Sequence, residues 1–287
     1  MFNPEQFGQE ENTGRKPDIA ASKPGLLPVD LLDAFENGDR EKIARLKNLS
    51  QERFPSQVEG VEALFGAADF FDSQKNLDAI IKQNNGWTSE AMEIVEEITQ
   101  YRFLICDLVK NNKGNVEFLA KFWQAIGQIA EKTGSSLPGE QLKESTLSQV
   151  AVYHAFEGIG LKPAFSTPKE DAFKAVDLWG RPDEAVQIKT SALGTAIFDD
   201  YDEVAFPGVE IENNGKICHV DSYSLLETFK FRAKAHRYAR EIKKPLKSLM
   251  VFIHKNDRDP ITGEPGGNVV ELFRKKFNFG QKNEKSG

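Results

Sequence analysis

Apolar residues recur at helical spacing through the first half of the chain and in short strand-like runs through the second. Pro28, followed by Val29, Leu32 and Phe35 before Gly38, predicts a first helix. Val58, Val61, Phe65 and Ala68 form another stripe. Leu77, Ile80 and Ile81 form the next, which ends at the NNG of residues 84–86. Thr88 or Ser89 can cap the longest helix, which carries Met92, Val95, Ile98, Phe103, Ile105 and Leu108 and stops at residues 111–114. A further helix holds Val116, Leu119, Phe122, Trp123, Ile126 and Ile129, and GSSLPG at 134–139 reads as a linker. Residues 1–25 have no apolar period and read as a flexible arm. The expectation is an arm over 1–25, an all-helical domain over 26–134 and a second domain over 138–278.

Beyond the linker a helix over about 140–158 leads into three short apolar strands, LKPAF, AVDLW and AVQIKT. Residues 192–220 resist assignment. A long helix is expected over about 222–244, and KSLMVFIH then reads as a buried strand. The order is helix, three strands, helix, strand. A helix that connects strands which need not be hairpin neighbours builds a mixed sheet with helices on its faces.

Composition narrows the class. Hydrophobic residues make up 39% and charged residues 28%, the balance of a globular chain rather than a disordered one. The longest apolar runs, such as LMVFI at 249–253, are far short of the roughly 20 residues that cross a bilayer, so no membrane span is expected. The opening MFNPEQFGQEENTGRKPD lacks the basic start and apolar stretch of a secretory signal, and a cytoplasmic protein is expected. Cys106 and Cys218 show no zinc-type spacing and read as free thiols. The net charge of −7 lies entirely in the first half: residues 1–134 carry 15 Lys and Arg against 22 Asp and Glu, and the remainder 22 against 22.

Strand parity then gathers a chemical group. With Val176 and Leu178 on one face of their strand, Asp177 points to the other. On the next strand Val186, Ile188 and Thr190 share a face, opposite Ala185, Gln187, Lys189 and Ser191. Pairing across GRPDE (180–184) would bring Asp177, Gln187 and Lys189 together. In the preceding helix Val150, His154 and Glu157 stand at i, i+4 and i+7, which would turn Glu157 toward the sheet. Carboxylates of Asp177 and Glu157 and the amide oxygen of Gln187 suit Mg²⁺ or Mn²⁺, which polarises a phosphate and lowers the pKa of bound water. Lys189 would orient the attacking water or stabilise the transition-state charge.

Asp177, then Gln187-Ile188-Lys189 ten residues later on an adjacent strand, with Glu157 on the helix before, resembles the PD-(D/E)XK, or restriction-endonuclease-like, nuclease superfamily. The likeness covers about residues 140–254, and the helix, three strands, helix, strand order resembles the family's common core. It departs from the fuller motif in two ways: Ala175-Val176 stands where a Pro often precedes the Asp, and Gln187 replaces the second acid, as in the Mrr-like branch. The resemblance implies an α/β fold with a mixed-sheet core behind an all-helical N-terminal domain. It also implies a Mg²⁺-dependent nuclease acting on DNA more than RNA, in defence, repair or recombination, with no small-molecule cofactor. A homodimer would serve to cut both strands.

The segment 230–247 of the long helix and its exit carries eight Lys and Arg against one acid, Glu241. Lys230, Lys234 and Arg237 form one stripe and Arg232, His236, Arg240 and Lys243 another, with Lys244 beyond, a broad basic face for phosphates. Arg274, Lys275 and Lys276 form a second basic patch. Plainer readings stand beside these. Asp177 and Lys189 could form a salt bridge on a solvated face, Glu157 could lie exposed at its helix end beside Gly158, and His154 could simply be packed. Asp171 could hold metal or serve its turn, and the basic helix could answer the acidic first half. Two rival functions follow: a nuclease-fold module that binds nucleic acid without cutting it, and a scaffold that uses the acidic helical half.

Overall fold

The computed structural model describes residues 58–135, 137–200, 210–213, 216–219 and 222–283. The arm expected over 1–25 and the helix expected from Pro28 lie outside them. The helical stripes of the first half become three long helices. α1 (Val58–Asn84) runs through two stripes without interruption, since neither Gly nor Pro stands between Ala68 and Leu77. α2 (Ser89–Asn111) begins where the extended Thr88 accepts the Ala91 N–H at 3.1 Å, and α3 (Val116–Thr133) where Asn115 accepts that of Phe118 at 3.3 Å. Gly134 ends α3 with a φ of 62°, a conformation that costs glycine little. Phe71, Ile105, Leu108, Phe118, Phe122 and Ile126 fill the core between these helices. Among the described residues no helix is long and apolar enough to cross a membrane.

α4 (Gly139–Gly158) belongs to both halves. Its Leu142, Leu147 and Val150 lie in the helical core, while Val152, Ala155 and Phe156 lie in the core of the sheet. There follow β1 (Ala164–Phe165), α5 (Pro168–Lys174), β2 (Leu178–Arg181), β3 (Glu184–Ser191) and β4 (Ala196–Asp199). After them come β5 (Glu210–Asn213), β6 (Lys216–His219), α6 (Ser222–Ile242), β7 (Lys247–His254) and α7 (Gly267–Asn283). The fold is α/β, with a mixed sheet in the order β1-β2-β3-β7-β4 and a separate β5-β6 hairpin. β3 and β7 run parallel in register from Glu184↔Lys247 to Ser191↔His254, and the other neighbours are antiparallel.

The two faces of the sheet are covered by different helices. Leu178, Val186, Ile188, Leu249, Val251 and Ile253 pack with α4 and α7, and Ala185, Phe198, Met250 and Phe252 pack with Phe231 and Ala235 of α6. β7 is buried on both sides, which is why KSLMVFIH is a continuous apolar run instead of an alternating one. Five named elements go beyond the expected order: α5 interrupts the first two strands, β4 emerges from the unassigned stretch as an edge strand and β5 and β6 from the same stretch as a hairpin, and α7 carries the second basic patch. α5 had a local signature: Thr167-Pro168-Lys169-Glu170 is a capping box with Pro in the first turn.

The loop after β7 ties the halves together again. The buried guanidinium of Arg258 pairs with Glu144 of α4, and Trp123 Nε1 donates to the Ile261 carbonyl at 3.0 Å. Gly263 has a φ of 72°, and a Cβ there would stand 2.9 Å from the Leu147 carbonyl oxygen, so a side chain is excluded twice over. Since α4 serves both cores, the described residues should unfold together. Leu147→Ala, in the helical core, and Phe156→Ala, in the sheet core, should each cost about 2–5 kcal/mol. Each should also lower one shared urea transition followed by tryptophan fluorescence and far-UV circular dichroism. Two separate transitions, each moved by only one of the substitutions, would show the halves to be independent.

Candidate functional site

β2 and β3 pair across the expected turn, and parity on β3 is as the alternation requires. Val186 and Ile188 face α4, Thr190 is linked to Ser148 of α4 at 2.9 Å, and Gln187 and Lys189 lie on the α6 face. On the β2 side the expected parity fails. Val176 packs in the cluster beneath α6 and Leu178 in the cluster beneath α4, so the two do not share a face. The cause is the chain's exit from α5. Ala175 takes a φ of 59°, and the Asp177 N–H donates to the Val186 carbonyl at 2.9 Å although Leu178 is already the partner of Val186. Two residues thus address one rung of β3, as in a bulge, and the alternation is reset between them.

The Asp177 side chain is consequently drawn to the edge of β3. Oδ2 accepts the Ile188 N–H at 2.6 Å, and Oδ1 accepts from Gln149 Nε2 of α4 at 3.2 Å. Gln149 Oε1 in turn accepts from Cys106 Sγ of α2 at 3.0 Å. Asp177 is only 6% exposed. Burial pushes its carboxyl well above the ordinary range, Asp171 of α5 pushes it further, and Arg102 of α2 and the Ile188 N–H pull it back. Arg102 approaches Asp171 at 3.9 Å, too far for a hydrogen bond, and Asp171 Oδ2 is buried without a hydrogen-bond partner. Cys106 is a buried free thiol, as expected, and burial raises its pKa strongly. The side chain of Cys218 lies outside the described residues.

Lys189 meets a residue that the sequence reading passed over. Its Nζ stands 3.8 Å from Glu227 Oε2 of α6, and Lys230 holds the other carboxylate oxygen at 2.9 Å. The plain alternative of an Asp177–Lys189 salt bridge is therefore not what forms. Glu157 is not brought to this group. It lies exposed at the end of α4, hydrogen-bonded to His154 Nδ1 at 2.8 Å, on the opposite side of the sheet from Gln187 and Lys189. Its stripe was misjudged because Val150, which heads it, belongs to the helical core, while Val152, Ala155 and Phe156 face the sheet. His154 is buried beside it, the packed residue of the plainer reading.

The basic residues of α6 divide between two flanks. Lys230, Lys234 and Arg237 are exposed on the flank toward β3. Arg232 is half-buried and donates to the Asp199 carbonyl, and His236 lies 3.9 Å from Asp200 on the flank toward β4. Arg240, Lys243 and Lys244 are exposed at the helix end and just beyond. Asp199 pairs with Lys276, and Asp200 binds Ser248, so these acids sit at the far end of β7 from the rung of Lys189. No family model matches the chain, and no curated protein or solved structure matches it either.

Glu184, at the start of β3, is buried beside the hairpin, and burial raises its pKa to about 7 from an ordinary value of 4.5. A carboxyl whose pKa is raised by folding holds its proton more tightly in the native state, so its contribution to stability falls as pH rises from about 4.5 to about 7. Glu184→Gln should remove this loss, on the order of 3 kcal/mol. Urea denaturation at pH 4.5 and pH 7.5 measures it: the variant's stability should change less between the two pH values than the wild type's, and parallel changes would contradict the assignment.

Proposed function

We propose that the chain is a divalent-metal-dependent nuclease acting on DNA, with β3 as its catalytic strand. The observation that carries this reading is the hydrogen bond from Ile188 N–H to Asp177. It sets an acid at the strand edge beside the residue that stands between Gln187 and Lys189. A mixed sheet behind α4, with β3 parallel to β7 and a basic α6 across one face, adds support from the restriction-endonuclease-like resemblance.

The donor set fits a hard cation within limits. The described residues hold no gathering of three or more His, Cys, Asp or Glu side chains suited to a metal. Mg²⁺, however, asks for only one or two carboxylates and keeps several waters. Buried Asp177 and half-buried Asp171 form an acidic pair in which Asp171 Oδ2 has no hydrogen-bond partner, and a divalent charge would relieve their repulsion better than Arg102 does at 3.9 Å. Asp177, Asp171 and the amide oxygen of Gln187 would hold the ion, which supplies a polarised phosphate and an acidified water when bound. Lys189, partly exposed and tethered by Glu227, offers its ammonium to the charge that develops on phosphorus. Lys230, Lys234 and Arg237 hold the phosphates on either side. Glu157 has no part in this arrangement.

One observation favours a second reading, a binding module that does not cut: both Asp177 oxygens are already engaged and the carboxylate is buried. Cleavage of supercoiled, linear and single-stranded DNA and of RNA with Mg²⁺ or Mn²⁺ separates the two. The nuclease should cut only with metal, and Lys189→Ala, at a partly exposed position that tolerates it, should lose about 10²–10³-fold in rate. Asp177→Asn should abolish cutting while DNA binding persists. A folded wild type that binds DNA and never cuts would leave the module. Separately, Lys234→Glu with Arg237→Glu should weaken DNA binding and reduce its log–log salt slope by about 2. The same change at Arg232, held by Asp199, should act through stability instead.

A further inference from the structure

Between the C-terminal half of α6 and the β2–β3 hairpin lies a cleft of about 490 Å³, walled by Trp179, Pro182, Tyr238, Pro245 and Leu246, with Lys244 beside them. None of these residues belongs to the group around Asp177 and Lys189. Two aromatic rings are fixed here by one carboxylate: Tyr238 donates to Glu170 Oε1 at 2.8 Å and Trp179 Nε1 to Oε2 at 3.4 Å. Glu170 is itself held by the N–H and hydroxyl of Thr167 at the cap of α5. The rings are therefore anchored by their polar edges. The loop is fixed as well, because Lys243 takes a φ of 53° and the Lys244 N–H donates to the Ala239 carbonyl at 3.1 Å.

The cleft suits a flat, largely apolar group attached to an anion. Aromatic and proline walls accept a ring by stacking. Glu170 already accepts four hydrogen bonds from Thr167, Tyr238 and Trp179, and Lys174 already stands 5.3 Å from the centre of the Tyr238 ring, so the acid and the ring have donors and a cation of their own. The exposed Lys244 offers a charge to a phosphate, and Asp183 on the hairpin turn can accept from a base N–H, such as the N3–H of thymine. The cleft also adjoins the proposed substrate track. Glu227, beside Lys189, and Tyr238 are separated by about 16 Å along the axis of α6. The exposed Lys230, Lys234 and Arg237 mark the helix between them.

We propose that this cleft takes an unstacked base from a single-stranded segment of nucleic acid whose backbone runs along Lys230, Lys234 and Arg237 toward Lys189. The proposal rests on the nuclease reading for what happens at the Lys189 end. It names the substrate class that reading leaves open: a base can enter the cleft only where it is not paired and stacked, so single strands, overhangs or unpaired junctions are preferred to intact duplex.

The test is binding by the full chain, in chelator and without metal, of an oligothymidylate of about 12 nucleotides and of a blunt duplex of the same length. It is followed by tryptophan fluorescence and by anisotropy of the labelled strand. The single strand should bind about tenfold or more tightly than the duplex and quench a signal that Trp179→Phe removes. Tyr238→Ala and the surface variant Lys244→Ala, both checked for wild-type melting, should weaken the single strand by about tenfold and severalfold respectively and leave the duplex unchanged. Equal binding of the two probes, or folded variants that bind the single strand as the wild type does, overturns the cleft assignment. Tighter binding of a trimethylated lysine peptide than of the single strand overturns it in favour of a cation site. The two proposals fail separately: single-strand preference without metal-dependent cutting removes only the nuclease, and cutting of duplex without single-strand preference removes only the cleft.

Discussion

A carboxylate taken out of water must be met by donors or by opposite charge, and the position of Asp177 makes that requirement the meeting point of the fold. Its two oxygens draw in the Ile188 N–H from β3 and the Gln149 amide from α4. Through Gln149 and Asp171 they reach Cys106 and Arg102 of α2. One group thus connects the helical half, the shared helix, α5 and the central hairpin. Each of these elements also packs through apolar contacts, but the polar group constrains their register, since a shift of any one would leave a buried acid or amide without its partner.

The same constraint shapes the chemistry available. A buried acid beside a half-buried one, whose Oδ2 has no hydrogen-bond partner and only Arg102 at 3.9 Å, is costly as it stands. On the α6 face of β3, Glu227 tethers the Lys189 ammonium, and a row of exposed basic residues follows along the helix. Acidic groups thus gather at the β2–β3 junction inside the sheet, and basic groups along α6. A phosphodiester held by the basic residues, with a cation at the acids if one binds there, is what the proposed nuclease would require, and a scaffold built on the acidic helical half would make no use of this arrangement.

The Trp179–Tyr238 cleft comes from the same economy of parts. Glu170 closes the capping box that starts α5, and α5 is what resets the parity of β2. The carboxylate that begins the helix also fixes the rings of the cleft. A single local motif thus affects both the placement of Asp177 and the shape of the cleft that Trp179, two residues further along, helps to wall.

Much of this was legible along the chain. Apolar periodicity specified the helices, Thr88 marked the start of one of them, and KSLMVFIH announced a buried strand, because each depends on residues within a few positions of one another. Parity placed Gln187 and Lys189 on one face of β3 for the same reason. What the sequence did not determine were contacts between distant segments. Val150 heads a helical stripe with Glu157, but α4 has two buried sides, and only the docking of the helical half decides which of them meets the sheet. Alternation assigned Asp177 a face until the turn out of α5 consumed one residue of register. Glu227 became the partner of Lys189, and Arg232 turned to Asp199 while Lys234 and Arg237 stayed in water, only once α6 had settled across β7. Short-range periodicity is encoded residue by residue, whereas the pairing of charges 38 positions apart depends on how whole elements pack.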